Sequence, residues 1–507
     1  MAEAVVIGGG VGGMATAIRL AHAGHHVVLL ERNDVLGGKL AEHRAAGYTW
    51  ETGPSLLTLP EVFDELLGLV GSKLPDPVRL DPSFRYHFAD GSSFCTRDDP
   101  VGTEAEVERL SPGSGIEWRR FMAGAARVWS VAERTFLAGP LENPWQLARR
   151  LRSPLDLSAI DPLPTLHTRA RRAFGDPRLV QWADRYATYA GSSPFEAPAT
   201  LGCIPHIEQA LGAWYLRGGL VRLADLLAGA CTAAGVDART GADVEAVEAD
   251  HDRVRGVRLA GGERVGADIV VADVDAAHLY GDLLPDPVAA RRVRRAGRSS
   301  SGFVLLLGVR GRTDRLGHHT VSFSADYEAE FRAIHRQGVA PDDPTVYVCA
   351  SSTTDEAMAP PGCENWFVLV NVPSFDGTAS GEDSGAWADG GTAYGDHVLD
   401  VLARRGFDLS GRIEHREAIT PADIARRYRA VGGAIYGTSS NGRRAAFARP
   451  PNRGPRRGLY LVGGSTHPGG GLPLVAISAR IVAAMVAADL GPGADGAGAG
   501  AGHRRRR

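Results

Sequence analysis

The sequence predicts an α/β protein: a discontinuous nucleotide-binding type of domain with an α+β domain inserted into it. Three observations carry this. An apolar run, a glycine turn and an amphipathic helix open the chain. A strand, a glycine loop and an apolar helix close it. Strand-like segments at 235–272 lie between two stretches of different character. At 507 residues the chain is also too long for one compact core.

The elements follow in order. Ala4-Val5-Val6-Ile7 fits a buried parallel strand. Met14, Ala17, Ile18 and Ala21 recur at spacings of three and four, so one helix face is apolar, and Gly24 fits the helix C-terminus. Val27-Val28-Leu29-Leu30 is a second strand that completes a βαβ unit. Residues of about 100–215 are rich in Arg, Trp and Pro, with helical periodicity. Residues 235–272 return to strand patterning, with turns at Asp252 and Gly261-Gly262. Residues 303–307 and 366–370 are β-rich, and 459–462 form a last strand before a glycine loop and a helix from about Leu474. The expected division is 1–75, 220–285 and 455–490 for the nucleotide domain, and 76–219 and 286–454 for the inserted domain. The Gly/Ala-rich tail 491–507, ending in four arginines, is expected to be disordered.

Composition narrows the function. The net charge of -3 offers no basic field for nucleic acid. Five scattered cysteines (Cys95, Cys203, Cys231, Cys349 and Cys363) show no CxxC spacing, which argues against a disulfide framework or a metal site and suits a reducing cytoplasm. No secretory signal is visible, and no uninterrupted apolar run reaches the roughly 20 residues that span a bilayer. Residues 472–490 contain Ser478, Arg480 and Asp489 and are expected to pack inside the protein. Any membrane contact is therefore expected at the surface.

Gly8-Gly9-Gly10-Val11-Gly12-Gly13 is a GxGxxG turn between strand and helix. Its first glycine permits the turn, its second lets a pyrophosphate approach the backbone, and its third allows close helix–strand packing. The helix N-terminus then stabilises the phosphates. Glu31 closes the second strand, where a carboxylate can accept hydrogen bonds from a ribose diol. After Arg32, the run through Gly37-Gly38-Lys39 separates FAD from NAD. The second glycine pair can bring backbone to a further stretch of cofactor, and Lys39 can offset phosphate charge. The loop Gly463-Gly464-Ser465-Thr466-His467-Pro468-Gly469-Gly470-Gly471 runs through Leu472-Pro473 into a helix. Free N–H groups at that helix N-terminus would stabilise charge gained around flavin N1 and C2=O. The domain is thus expected to be a Rossmann-type FAD-binding domain.

These segments together resemble the flavoprotein amine oxidase and phytoene desaturase superfamily, and within it the bacterial carotenoid desaturases. Glu51-Thr52-Gly53-Pro54-Ser55-Leu56-Leu57-Thr58 is similar to the family's acidic-Thr-Gly-Pro element, and residues 465–473 are similar to its C-terminal signature, nearest the hydroxycarotenoid 3,4-desaturase branch. Residues 345–373 resemble its inserted domain. The resemblance implies FAD as oxidant, with Gly8, Gly10, Gly12, Gly13, Glu31, Arg32, Gly38, Lys39, Pro54 and Ser55 at the cofactor. It places Gly464, Gly470, Gly471 and Leu472 on the flavin side and Val244 at the adenine, although Val244 fits a core position as well. Lys39 stands where many relatives have Arg, which keeps the charge and loses the bidentate fork.

The implied reaction is desaturation of an acyclic carotenoid such as phytoene or a 1-hydroxycarotenoid, with hydride passing to flavin and quinone or oxygen as the final acceptor. His467, His206 and Glu208 are the candidates for a base or positioning group, against the favoured alternative that each is a structural, hydrogen-bonded side chain. Trp118, Phe121, Met122, Trp129, Phe136 and Trp145 could line a polyene tunnel, with Arg149, Arg150 and Arg152 holding lipid phosphates. They could also be a helical core with a solvated basic face. The chain is expected in the cytoplasm, peripheral to the inner face of the membrane. An amine oxidase, a non-redox escort protein and a polyene isomerase are the competing readings.

Overall fold

The computed structural model describes residues 1–161, 163–377, 387, 389–442 and 445–491. Two sheets organise them. The first has five parallel strands in the order Leu459–Leu461, Ile269–Ala272, Glu3–Ile7, His26–Leu30 and Asp237–Arg239. Its strands come from the start, middle and end of the chain, so this part of the fold is discontinuous. Val5 pairs with both Val28 and Val270, and Val270 pairs with Leu459.

Both faces of this sheet are covered. Ala4, Val6 and Leu29 pack with the helices Val11–His22, Val221–Ala233 and Leu472–Leu490. Val5, Ile7 and Leu30 pack with the antiparallel strands Val244–Ala249 and Val254–Leu259. Burial on both sides is why these strands read as continuous Val/Ile/Leu runs. Helix Val11–His22 ends at Ala23, and Gly24 turns the chain at φ +84. The last helix begins at Leu472, two residues before the expected start. By length and composition it could cross a membrane, yet it packs against Val11–His22, with 56% of its most apolar window buried.

The second sheet has seven strands in the order Ile413–Ile419, Ser301–Arg310, Cys363–Val372, Val346–Cys349, His319–Ser322, Phe84–His87 and Ser93–Thr96. Its neighbours are antiparallel except for His319–Ser322 beside Phe84–His87. Helices of the 100–206 region cover one end of it. Asp99 accepts from Gly102 N at 2.6 Å with Pro100 in the first turn, which fixes the start of the helix Pro100–Leu110.

The aromatic residues of these helices divide differently from the tunnel expected of them. Trp118 and Phe121 pack with Phe94, Phe174 and Trp182 into an aromatic core, the Trp118 and Trp182 ring centroids lying 4.4 Å apart. Trp145 faces solvent at 75% exposure. Arg150 donates to the carbonyls of Thr135 (2.9 Å), Gly139 (3.2 Å) and Pro140 (2.8 Å), so its charge serves a helix C-terminus rather than a lipid. The tail expected to be disordered lies, from residue 492 on, outside the described residues.

Candidate active site

The glycine turn sits at the carboxyl ends of the parallel strands. Gly8 has φ +97, and a Cβ there would lie 2.5 Å from the Asp273 carbonyl oxygen. A Cβ on Gly13 would overlap the Gly8 carbonyl, so only glycine lets this helix meet this strand. Gly37 N donates to Gly9 O at 2.8 Å and Gly10 bridges to Gly37. Gly38, at φ +58, would place a Cβ 2.9 Å from Gly10 Cα. The two glycine pairs are thus stacked backbone on backbone.

Glu31 is buried, and its carboxylate braces the turn. Oε2 accepts from Gly9 N at 2.7 Å, and Oε1 accepts from Asn33 N (2.8 Å) and Asn33 Nδ2 (2.7 Å). Arg32 donates to the carbonyls of Arg426 (2.8 Å) and Arg427 (3.1 Å), at the C-terminal end of the helix Pro421–Tyr428. Lys39 Nζ donates to Ile435 O at 2.8 Å and faces the carboxylates of Asp275 and Asp273, while burial lowers its pKa.

One cavity of about 630 Å³ runs through the site, a size ordinary for a small-molecule or cofactor pocket. Gly8, Gly10, Gly12, Glu31, Arg32, Gly38 and Lys39 line one end. Pro54, Ser55, Val244, Gly464, Gly470, Gly471 and Leu472 line it as well, whereas Gly13 is not in the wall. A Cβ on Gly470 would overlap the Tyr436 ring, so that glycine admits the ring to the wall. Arg449, buried, donates to Gly464 O (2.8 Å) and Thr438 O (2.8 Å) and so ties the C-terminal loop to the chain before it. The cavity continues between Leu201, Ile204 and Ile207 on the helical side and Val304, Val321 and Phe367 on the seven-stranded sheet. Of the six tunnel candidates, Trp129 alone is in its wall.

The three base candidates are not brought together. Glu208 lines the cavity and is 1% exposed, which makes its charge state a matter of its partners. Its carboxylate accepts from Tyr186 OH at 2.7 Å, from Tyr189 OH and from Gln209 Nε2 at 3.3 Å. Burial raises its pKa and the Arg185 guanidinium opposes this. Arg185, also in the wall, stacks over Phe84 at 4.6 Å and Tyr189 at 5.2 Å. His206 lies outside the wall, its pKa lowered by burial. His467 turns away: its Nε2 faces the carbonyls of Phe136 (2.9 Å) and Gly139 (3.2 Å), and burial pushes it down to about 4. A proton on Nε2 satisfies both carbonyls and ties the C-terminal glycine loop to the helical layer.

Residues that sequence reasoning missed complete the wall. Tyr347 OH bonds Ser55 Oγ at 2.7 Å and His319 Nδ1 at 2.8 Å. Glu330, pushed up to about 7 by burial, accepts from Ser324 Oγ (2.7 Å) and Thr345 Oγ1 (2.7 Å). Arg185 and Glu330 carry no local motif, and only the fold brings Arg185 to Glu208 and Tyr347, within the segment 345–373, to Ser55.

The profile of the flavin containing amine oxidoreductase family matches residues 11–358. The chain is 34% identical to a 4,4'-diapolycopene oxygenase of Methylomonas sp over 96% of this chain and 98% of that protein. It is 33% identical to a 1-hydroxycarotenoid 3,4-desaturase of Flavobacterium sp. over 96% of this chain and 99% of that one. Among solved structures, an oxidoreductase from Methanosarcina mazei superposes with a TM-score of 0.63 at 17% identity, covering 95% and 99% of the two chains.

Proposed function

The chain belongs to the flavin-containing amine oxidoreductase family, and from that premise we propose that it is an FAD-dependent desaturase of an acyclic carotenoid such as phytoene or a 1-hydroxycarotenoid. The observation that carries this reading is the single cavity joining the glycine cradle to an apolar chamber. FAD suits the cradle, because the glycines leave bare backbone where any Cβ would press on Asp273 or Gly10. Gly8, Gly10, Gly12, Gly13, Glu31, Arg32, Gly38, Lys39, Pro54 and Ser55 would hold it, with Val244 by the adenine and Gly464, Gly470, Gly471 and Leu472 by the flavin. Once bound, it supplies the acceptor for a hydride, and quinone or oxygen would reoxidise it.

The chain's own residues do the rest. The N-terminus of Leu472–Leu490 has no acidic residue in its first turn and would offset negative charge on the ring. Leu201, Ile204, Val304 and Phe367 would hold the polyene and exclude water. Glu208 would accept the proton lost from the carbon beside the hydride-donating one. An amine substrate fits less well, because Leu201, Ile204, Val304 and Phe367 give the chamber an apolar wall. The division of the chain at 1–75, 220–285 and 455–490 against 76–219 and 286–454 belongs to the same proposal.

Anaerobic addition of phytoene, neurosporene and a 1-hydroxycarotenoid to the purified holoprotein in liposomes tests the reading. Flavin absorbance is expected to bleach with a polyene whose own absorption moves to longer wavelength. Bleaching with amines alone would overturn it, and a shifted polyene spectrum with no net oxidation would favour isomerisation. A second reading, oxygenation of the polyene, is favoured by the 34%-identical relative named an oxygenase. Product mass separates the two, by loss of two hydrogens or gain of oxygen under air.

Access to so apolar a substrate argues for a membrane-facing surface, and on this reading the protein sits peripherally on the inner face of the membrane. Trp145 (75%), Leu155 (78%) and Leu163 (68%) are exposed in the same stretch of sequence as Arg149 and Arg152. Replacing all three by serine is expected to weaken co-sedimentation with phosphatidylglycerol vesicles at least about tenfold, since each buried apolar side chain is worth about 1.5–3 kcal/mol. Unchanged sedimentation would place the membrane contact elsewhere.

A further inference from the structure

We propose that FAD binds this chain only when Asp273 carries a proton, so that one half-buried carboxyl group sets the pH dependence of cofactor affinity. Asp273 follows the strand Ile269–Ala272 directly and ends beneath the glycine turn. Its Oδ2 accepts from Gly13 N at 2.7 Å, in the first turn of Val11–His22. A Cβ on Gly10 would lie 2.9 Å from Oδ2, and one on Gly12 would lie 2.8 Å from Oδ1. A Cβ on Gly463, in the C-terminal loop, would overlap Oδ1. The carboxyl group is therefore enclosed by the glycines of both loops, and Gly10 is one that a GxGxxG turn keeps bare for pyrophosphate.

A pyrophosphate brings two negative charges to that place. The charged groups facing Asp273 are Glu31, from the end of His26–Leu30, and Lys39, and Asp275, two residues on, faces the same ammonium. The single ammonium of Lys39 is already shared between Asp273 and Asp275. Two further negative charges in this enclosure are relieved most simply by protonating Asp273, the carboxyl that lies against Gly10, Gly12 and Gly13. Protonated, Asp273 can donate to an anion oxygen instead of repelling it.

Burial pushes Asp273 up to about 7, with Glu31 adding to the rise and the Gly13 N–H and Lys39 opposing it. The phosphates raise it further. Below about pH 7 the group is already neutral without FAD, and binding takes up no proton. Above that, each binding event takes up one, and Kd rises about tenfold per pH unit until the FAD-bound pKa is passed.

Diluting the holoprotein across about pH 6 to about pH 9 and reading the fluorescence of released flavin gives Kd at each pH. Wild type is expected to weaken about tenfold per unit above neutrality. Asp273→Asn is expected to be flat there and to hold FAD more tightly than wild type at the alkaline end. Lys39→Arg, which keeps its charge at every pH used, is expected to retain the wild-type slope. Calorimetry of the wild type in buffers of different protonation enthalpy should read about one proton taken up above neutrality. A D273N slope equal to wild type overturns the proposal, as does a slope that vanishes in K39R alone. If D273N does not fold, calorimetry showing no proton uptake overturns it by itself.

Discussion

Replacing Gly38 by alanine is expected to leave the purified protein with less than about a tenth of the wild-type flavin content, read as the ratio of flavin to protein absorbance. Two costs act together. The residue sits at φ +58, a region that costs an L-residue about 1–2 kcal/mol. The new Cβ would also stand 2.9 Å from Gly10 Cα, and that neighbour is backbone that cannot swing aside. The second glycine pair must then lift from the first, carrying Lys39 with it and opening the cradle. Gly24→Ala is the control. Gly24 has φ +84, and a Cβ there would meet nothing within 4 Å. It therefore carries the strain without the collision, and flavin is expected to remain. Wild-type flavin in G38A, or equal losses in the two variants, would show that backbone stacking of Gly10 on Gly38 does not shape the cofactor site.

Much of that cradle was legible because its signal is local. A GxGxxG between a Val/Ile run and an apolar helix face needs no long-range information, and Glu31 lies at the end of the next strand. The parallel strands showed for the same reason, as apolar runs buried on both faces. What was not legible depends on contacts between distant parts of the chain. Asp273 reads as an unremarkable residue after a strand, and only the fold shows Gly13, Glu31 and Lys39 around it. Tyr347 and Ser55 meet although 292 positions separate them. Trp118 and Trp129 are equally aromatic in one helix, Gly115–Thr135, yet Trp118 faces the aromatic core and Trp129 the cavity. His467 sits in the expected loop, but its direction is set by the carbonyls of Phe136 and Gly139, which no motif announces.

Glu208→Gln is expected to lower kcat about 100-fold or more while flavin content stays at the wild-type level, because positioned general bases contribute about 10²–10⁴-fold. Glutamine keeps the shape, its amide oxygen accepting from one tyrosine hydroxyl and its amide N–H donating to the other, so the lost property is the ability to take a proton. The pH profile separates this from a structural role. Burial raises the carboxyl pKa above the ordinary value and Arg185 holds it back. A base works in its ionised form, so wild-type turnover is expected to climb as pH rises through that raised value and then level off. The variant is expected to be slow and flat. Tyr189→Phe sharpens the test: it removes one hydroxyl that donates to the carboxylate, so the ionised form loses support and the rising limb should move to higher pH. If Glu208 only scaffolds Arg185, E208Q should instead lower the Tm and leave the shape of the pH profile unchanged. Full activity in E208Q would assign the proton to another acceptor in the cavity wall, of which Glu330, pushed up to about 7, is the next buried carboxyl group.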